Sequence, residues 1–229
     1  MVMQLVIGNK NYSSWSMRPW VLMRQLDLPF EERKLRFDFA EGSAYRQEIA
    51  RLSPSGLVPV LLDGDLGVWD TLAIIEYLHE KFPGRGVWPA AMPQRARARS
   101  VAAEMHSGFG ALRQHCAMNI EAQLHEVGRK IWAEQPTVRQ NVARIEAIWA
   151  QALQTSGGPF LFGEFGAADA MFAPVCMRFV TYGLPAGDTA QAYVQRVAAA
   201  PGVRAWIDDA LAEADFLDFD EMYRTGRDT

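Results

Sequence analysis

The chain has 229 residues, 49% of them hydrophobic and 11% aromatic, with seven tryptophans, enough apolar material for one large core or two small ones. A formal net charge of −4 and arginines scattered among carboxylates provide no basic stripe, so nucleic acid is excluded as an expected partner. No apolar stretch approaches the ~18 residues of a membrane span, and Met1 to Ile7 lacks the length and basic leader of a signal peptide; no membrane association and a cytoplasmic location are expected.

"MQLVIG" is a short β-branched apolar run ending at Gly8-Asn9, as a buried strand feeding a loop does. Trp20, Val21, Leu22 and Leu26 then recur near helical spacing, which predicts a helix from about Ser16 to Leu26, with Ser16 as its cap and Pro19 in its first turn. Ser13 and Ser14 stand one turn too early to cap it. "FEERKLRF" reads as a second strand and "SAYRQEIARL" as a short helix. "VPVLLDGDLGVWD" reads as two strands joined at Asp63-Gly64, and "TLAIIEYLHEKF" as an amphipathic helix. The order β-α-β-α-β-β-α is that of a small α/β layer over residues 1–82.

"PGRGVWPAAMP", residues 83–93, interrupts every periodicity and is expected to link this layer to an all-helical unit, residues 94–229. There Val101, Met105, Phe109, Leu112 and Cys116 predict one helix. Val138, Val142, Ile145, Trp149 and Leu153 predict another, capped by Thr137 and closed by Gly157. "ADAMFAPVCMRFV" is apolar on nearly every side, as a surrounded central helix would be. "TAQAYVQRVAAA" and "GVRAWIDDALAEA" predict the last helices, and "RTGRDT" is expected to fray.

The two cysteines, Cys116 and Cys176, fall in separate helical segments and suit reduced, buried thiols. Four histidines without metal-ligand spacing predict no metal site. Trp20, Trp132, Trp149 and Trp206 fall on apolar helix faces and read as core.

Three short features carry chemistry. Val58-Pro59 either opens a strand or holds a cis bond. Asp70-Thr71 either caps the following helix or uses the same helix end to take a ligand carboxylate while Asp70 takes an ammonium. The serines of "SSWSMR" either serve the helix start or donate to an anionic sulfur near its dipole.

In this order, "SSWSMR", "VP" and "DT", followed by a Pro/Gly linker and a helical unit, resemble the glutathione transferase family along essentially the whole chain. Within it the zeta class, the maleylacetoacetate isomerases, is the nearest match by Ser13, Ser14, Arg18 and the "AEMHSGFGALRQHCAMNI" stretch. The resemblance implies a thioredoxin-like N-terminal domain followed by an all-α C-terminal domain, glutathione as co-substrate, no metal, and a homodimer acting on small apolar electrophiles.

It implies that Ser13, with Ser14 second, contacts the glutathione sulfur, and that Val58 ahead of a cis Pro59 pairs with the cysteinyl backbone. Asp70 and Thr71 would hold the γ-glutamyl ammonium and carboxylate. Trp15, His106, Phe109 and Arg113 would line the electrophile pocket, Trp15 equally as a packing residue and the other three equally as partner-subunit contacts. Asp169 would cap the core helix.

Departures from the zeta pattern are Trp15 at the signature's cysteine, Met17 at its tryptophan, Leu57 before the Val-Pro, and Gly166 in place of the capping Ser/Thr. With no cysteine in residues 1–82, mixed-disulfide chemistry at the first helix is excluded. Conjugation or isomerisation by a serine-activated thiolate, peroxide reduction as a side activity, or a binding protein without catalysis remain as readings.

Overall fold

The computed structural model describes residues 2–227. Its first part is β1 (Met3–Ile7), α1 (Ser14–Gln25), β2 (Phe30–Lys34), α2 (Ala44–Leu52), β3 (Val60–Asp63), β4 (Leu66–Trp69) and α3 (Thr71–Lys81). The sheet order is β2-β1-β3-β4, with β1 parallel to β2 and antiparallel to β3, and β3 and β4 joined as a hairpin. This is the βαβαββα thioredoxin-like layer.

Strand alternation splits β1 between two cores. Met3, Leu5 and Ile7 enter the main core with α1 and α3, while Val6, opposite Val60, enters a smaller one with Tyr12, Phe37, Tyr45, Ile49 and Leu217.

The rest is helical: α4 (Met92–Ser107), α5 (Gly110–His115), α6 (His125–Glu134), α7 (Pro136–Ser156), α8 (Ala167–Tyr182), α9 (Asp188–Ala199) and α10 (Pro201–Glu213). α8 is buried along nearly its whole length, as its apolar sequence predicts, and α1 packs on both α8 and α10. Trp20, Trp149 and Trp206 are buried in the core, and Trp132 packs against it half-buried.

Several boundaries differ from the sequence reading, each for a local reason. α1 begins at Ser14, so Ser13 holds the N-cap position and Ser16 lies in the first turn. Pro19 therefore sits inside the helix, where it leaves the Trp15 carbonyl without its helical donor. The Thr71 hydroxyl donates to that carbonyl at 3.2 Å.

The helix expected through Cys116 breaks at Gly108-Phe109, where Phe109 takes a left-handed φ of 56° and turns its ring into the core. The apolar spacing survives the break because α5 restarts at once. α7 is entered through Pro136 rather than capped by Thr137, while Gly157 closes it in the left-handed region as expected. α6 is anticipated only through Trp132, read as lying on an apolar helix face.

The end of the chain is pinned rather than frayed as far as Arg227. Arg224 is buried against Glu221 and Glu121, and Arg227 also pairs with Glu121. Asp228 and Thr229 lie outside the described residues.

α6 crosses the end of α8 at Gly128, where an added Cβ would stand 1.7 Å from the Tyr182 carbonyl oxygen. Gly128→Ala must push the two helices apart, and a loss of about 2–3 kcal/mol is expected in urea unfolding.

Candidate functional site

The turn into α1 is built by backbone and side chain together. The Ser13 amide donates to the Asn9 carbonyl at 2.8 Å, and the Ser14 amide to the Tyr12 carbonyl at 2.9 Å. The Ser16 hydroxyl, fully buried, accepts from the Gly8 amide at 3.2 Å and from the Ser13 hydroxyl at 2.7 Å. The residue read as a cap is thus the inner support of Ser13. Beyond lie the first amides of α1, which no helical carbonyl can reach, at the positive end of the helix.

Arg18 is entirely buried one turn below. Its guanidinium donates to the Ser14 carbonyl at 2.7 Å, the Met171 carbonyl at 3.0 Å and the Met105 sulfur at 3.0 Å. Burial holds its pKa well below the usual arginine range, and Arg178 and Arg113 push the same way. It ties the start of α1 to α4 and α8, and lies 4.2 Å from the Trp15 ring centroid.

Val58-Pro59 is cis, with β3 starting at Val60. Asp70 has a left-handed φ of 72°, an uncommon conformation for a side-chain-bearing residue. That backbone turns its carboxylate two ways: one oxygen caps α3 by accepting from the Leu72 amide at 2.8 Å, and the other lies 2.9 Å from His106 Nε2. Both readings of Asp70-Thr71 thus share one geometry. The Thr71 hydroxyl proton is committed to the Trp15 carbonyl, and the Thr71 backbone amide is in the first turn of α3, where no carbonyl of the helix can reach it.

These residues surround two adjoining cavities. One, of about 250 Å³, is lined by Trp15, Val58, Pro59, Asp70, Thr71 and His106. The other, of about 190 Å³, holds Ser13 and Ser14 with Phe37, Phe39, Tyr45 and Asp220. Trp15, Leu57 and Val58 are common to both walls.

Trp15 also packs on the helical part, its ring 5.1 Å from that of His106, so pocket wall and packing residue are one role. His106 belongs to the Asp70 cavity. Phe109 and Arg113 line neither: Phe109 is turned into the core by the α4–α5 break, and Arg113 donates to the His106 carbonyl while flanking the Trp15 ring at 5.7 Å.

Sequence reasoning missed Phe37, Phe39, Tyr45 and Asp220. The alternation of Phe37 and Phe39 in "RFDF" was a signal available for the first two. Asp220 arrives only because the chain after α10 folds back over the first strand.

The Asp169 carboxylate accepts from the Gly166 amide at 3.1 Å, the Leu161 amide at 3.0 Å and the Tyr193 hydroxyl at 2.8 Å. Glycine stands at 166 because an added Cβ would press on the Val87 and Gly86 carbonyls at 3.2 and 3.3 Å. Cys116 and Cys176 are free and buried, and burial pushes the Cys116 thiol up to about 12. Among the described residues no group of three or more metal-ligating side chains comes together, and no helix is long and apolar enough to cross a membrane.

A thioredoxin-like layer with a cis-proline edge, followed by an all-helical part and with cavities along α1, defines the class of fold. The glutathione S-transferase N-terminal domain family matches residues 12–81 and the C-terminal domain family residues 93–209; the chain belongs to the glutathione S-transferase family.

It is 29% identical over 181 residues to glutathione S-transferase 1 of Dianthus caryophyllus, covering 78% of each chain. It is 27% identical over 172 residues to a zeta-class glutathione S-transferase of Euphorbia esula, covering 74% of this chain and 73% of that one. To glutathione S-transferase theta-1 of Homo sapiens it is 29% identical over 143 residues, covering 62% and 56%. Zeta and theta proteins match alike, so the family is shown and the zeta class is not singled out.

The fold superposes on a glutathione transferase homolog from Burkholderia, solved with bound glutathione, with a TM-score of 0.67, 22% identity and coverage of 92% of this chain and 98% of that one.

Proposed function

We propose that the chain is a glutathione transferase that binds glutathione across the Asp70 cavity and the adjoining Ser13 cavity and activates its thiol at Ser13, for conjugation or isomerisation of a small electrophile. The observation that carries this reading is the shared wall. A tripeptide lying along Val58 and Pro59 has Asp70 and Thr71 at one end and the cavity of Ser13 at the other.

In this reading Asp70, held by His106 at one oxygen, takes the γ-glutamyl ammonium, the Thr71 amide takes its carboxylate, and Val58 pairs with the cysteinyl backbone. The free amides of α1 and the Ser13 hydroxyl stabilise the thiolate. The thiol proton passes to solvent. In conjugation by substitution the sulfur lone pair then forms the new S–C bond, and the leaving group departs with the electrons of the bond it loses. In isomerisation the sulfur adds and later departs with the electrons of the same S–C bond. Support for glutathione as co-substrate comes from the Burkholderia homolog, whose structure contains it. Zeta-type isomerisation has less support, because Trp15 occupies the signature's cysteine position. A homodimer, which the family resemblance implies, is part of the same proposal.

The test is a titration of the protein with glutathione, following affinity by calorimetry and ionisation by thiolate ultraviolet absorbance against pH. The expected result is saturable binding with a thiol pKa below the free value. Asp70→Asn, which can still cap α3, is expected to weaken binding about tenfold by losing the ammonium's counter-charge. Binding without ionisation would leave a binding protein, and no binding would defeat the proposal.

A further inference from the structure

The turn between β1 and α1 presents Ser13 and closes on itself at the Asn9 carbonyl, which accepts from the Tyr12 and Ser13 amides at 3.2 and 2.8 Å. Each of its residues from 9 to 12 is also held from far along the chain. The Asn9 side-chain amide donates to Asp215 at 2.9 Å, the Lys10 backbone amide donates to Glu213 at 3.0 Å, and the Lys10 carbonyl accepts from Trp206 Nε1 at 3.0 Å. Those partners lie on α10 or just after it.

Asn11 and Tyr12 belong to a closed ring of side chains. The Asn11 amide donates to the Asn119 side-chain oxygen at 3.0 Å, the Asn119 amide donates to Glu221 at 2.9 Å, and Glu221 accepts from the Tyr12 hydroxyl at 2.7 Å. Two neighbours in the turn are thereby joined through two buried side chains that stand 102 residues apart in the chain.

Glu221 can serve as the hub of this ring because Arg224, itself buried, answers its charge. Burial works to raise the Glu221 pKa, but Arg224, Tyr12 and Asn119 outweigh it and hold the carboxyl below its ordinary value. Burial and the bond to Glu221 push the Tyr12 phenol up to about 12, so it remains a protonated donor near neutral pH.

The mechanical consequence falls on the next residue. The Tyr12 carbonyl accepts from the Ser14 amide at 2.9 Å, so a shift of Tyr12 carries the start of α1 and the Ser13 hydroxyl with it. A misplacement of about 1 Å is enough to spoil a hydrogen bond made to a reacting atom.

We propose that Glu221 is a positioning residue, which fixes the Asn11-Tyr12 turn from behind and so sets the Ser13 hydroxyl toward the glutathione sulfur without itself touching glutathione. The fastening of the turn is a property of the chain; its effect on the sulfur rests on the transferase reading.

The test uses the full chain with Tyr12→Phe, which keeps the buried ring and removes the hydroxyl, and with Glu221→Ala, which removes the hub. In the ligand-free protein, amide hydrogen exchange over residues 9–16 is expected to quicken about tenfold in both variants, with exchange around Phe172 in α8 unchanged. With glutathione bound, the thiol pKa read from ultraviolet absorbance is expected to rise by about 0.5–1 unit in each. Affinity for S-methylglutathione, which has no thiol to ionise, is expected to stay within about twofold by calorimetry. One link carries both effects, so the double variant is expected to shift the thiol pKa no further than Glu221→Ala alone.

Quickened exchange in the turn, with no glutathione binding by the wild-type chain, would defeat the transferase reading and sustain the fastening. A wild-type thiol pKa in both variants, with glutathione still bound, would overturn the assignment and leave the transferase reading standing. Parallel loss of S-methylglutathione affinity and of ionisation would overturn it too, since a merely structural role weakens both. Where Glu221→Ala does not fold, Tyr12→Phe decides by the same readouts.

Discussion

Ser13→Ala is expected to raise the pKa of bound glutathione by about 1–2 units and to lower conjugation near neutral pH by roughly ten- to a hundredfold. The argument lies in the hydroxyl pair behind the sulfur site. In the ligand-free arrangement Ser13 donates to Ser16, which is anchored by the Gly8 amide. A hydroxyl is a rotor, so an arriving thiolate can draw the Ser13 proton outward while the Ser16 hydroxyl turns to donate to Ser13. The chain of donors then polarises toward the sulfur, and the thiolate gains more than one isolated hydroxyl would supply.

Ser16→Ala removes only the support and is expected to give a smaller rise with the same sign. Ser14→Ala tests the alternative donor. If it raises the thiol pKa more than Ser13→Ala in the absorbance titration, the assignment moves by one residue.

Asp169→Ala is expected to cost about 4 kcal/mol in urea unfolding at pH 7. It strands three donors in a dry interior: the Gly166 and Leu161 amides and the Tyr193 hydroxyl, which join the entry of α8 to the preceding loop and to α9. Asp169→Asn retains one acceptor but turns an amide donor toward another donor, and is expected to cost about half as much.

The pH dependence has a definite sign. Burial is the leading influence on Asp169 and raises its pKa from 3.8 to about 6, against the donors that favour the anion. Between those values the folded chain holds more protons than the unfolded one, so this group's contribution to stability grows as pH falls from about 6 toward about 4. The advantage of wild type over Asp169→Ala is therefore expected to be about 1 kcal/mol larger at pH 5 than at pH 7. An advantage that shrank with acid would show that Asp169 is ionised more readily in the folded chain than in the unfolded one.

The amino-acid order alone determined the architecture and much of the inventory of the site. The apolar run of "MQLVIG" ending at Gly8-Asn9, the Asp63-Gly64 turn, the Pro/Gly interruption after residue 82 and the all-round apolarity of "ADAMFAPVCMRFV" are local signals. They act through nearest neighbours, which is why the βαβαββα order and the surrounded α8 were legible. Val58-Pro59 and Asp70-Thr71 were legible for the same reason, since a proline before a strand and an acid before a helix restrict the backbone where they stand.

What only tertiary structure decided involves residues whose partners are remote. Pro19 reads as a helix-start residue until Thr71 is seen to serve the carbonyl it leaves open. Phe109 keeps its place in the apolar spacing yet leaves the pocket, because the gain from burying its ring is compatible with a left-handed turn that periodicity does not register. Asp220 reaches the cavity of Ser13 because Leu217 finds a seat against β1 and β3. That burial joins segments far apart in the chain, Leu217 and Tyr12 being 205 residues apart, and has no counterpart in local spacing.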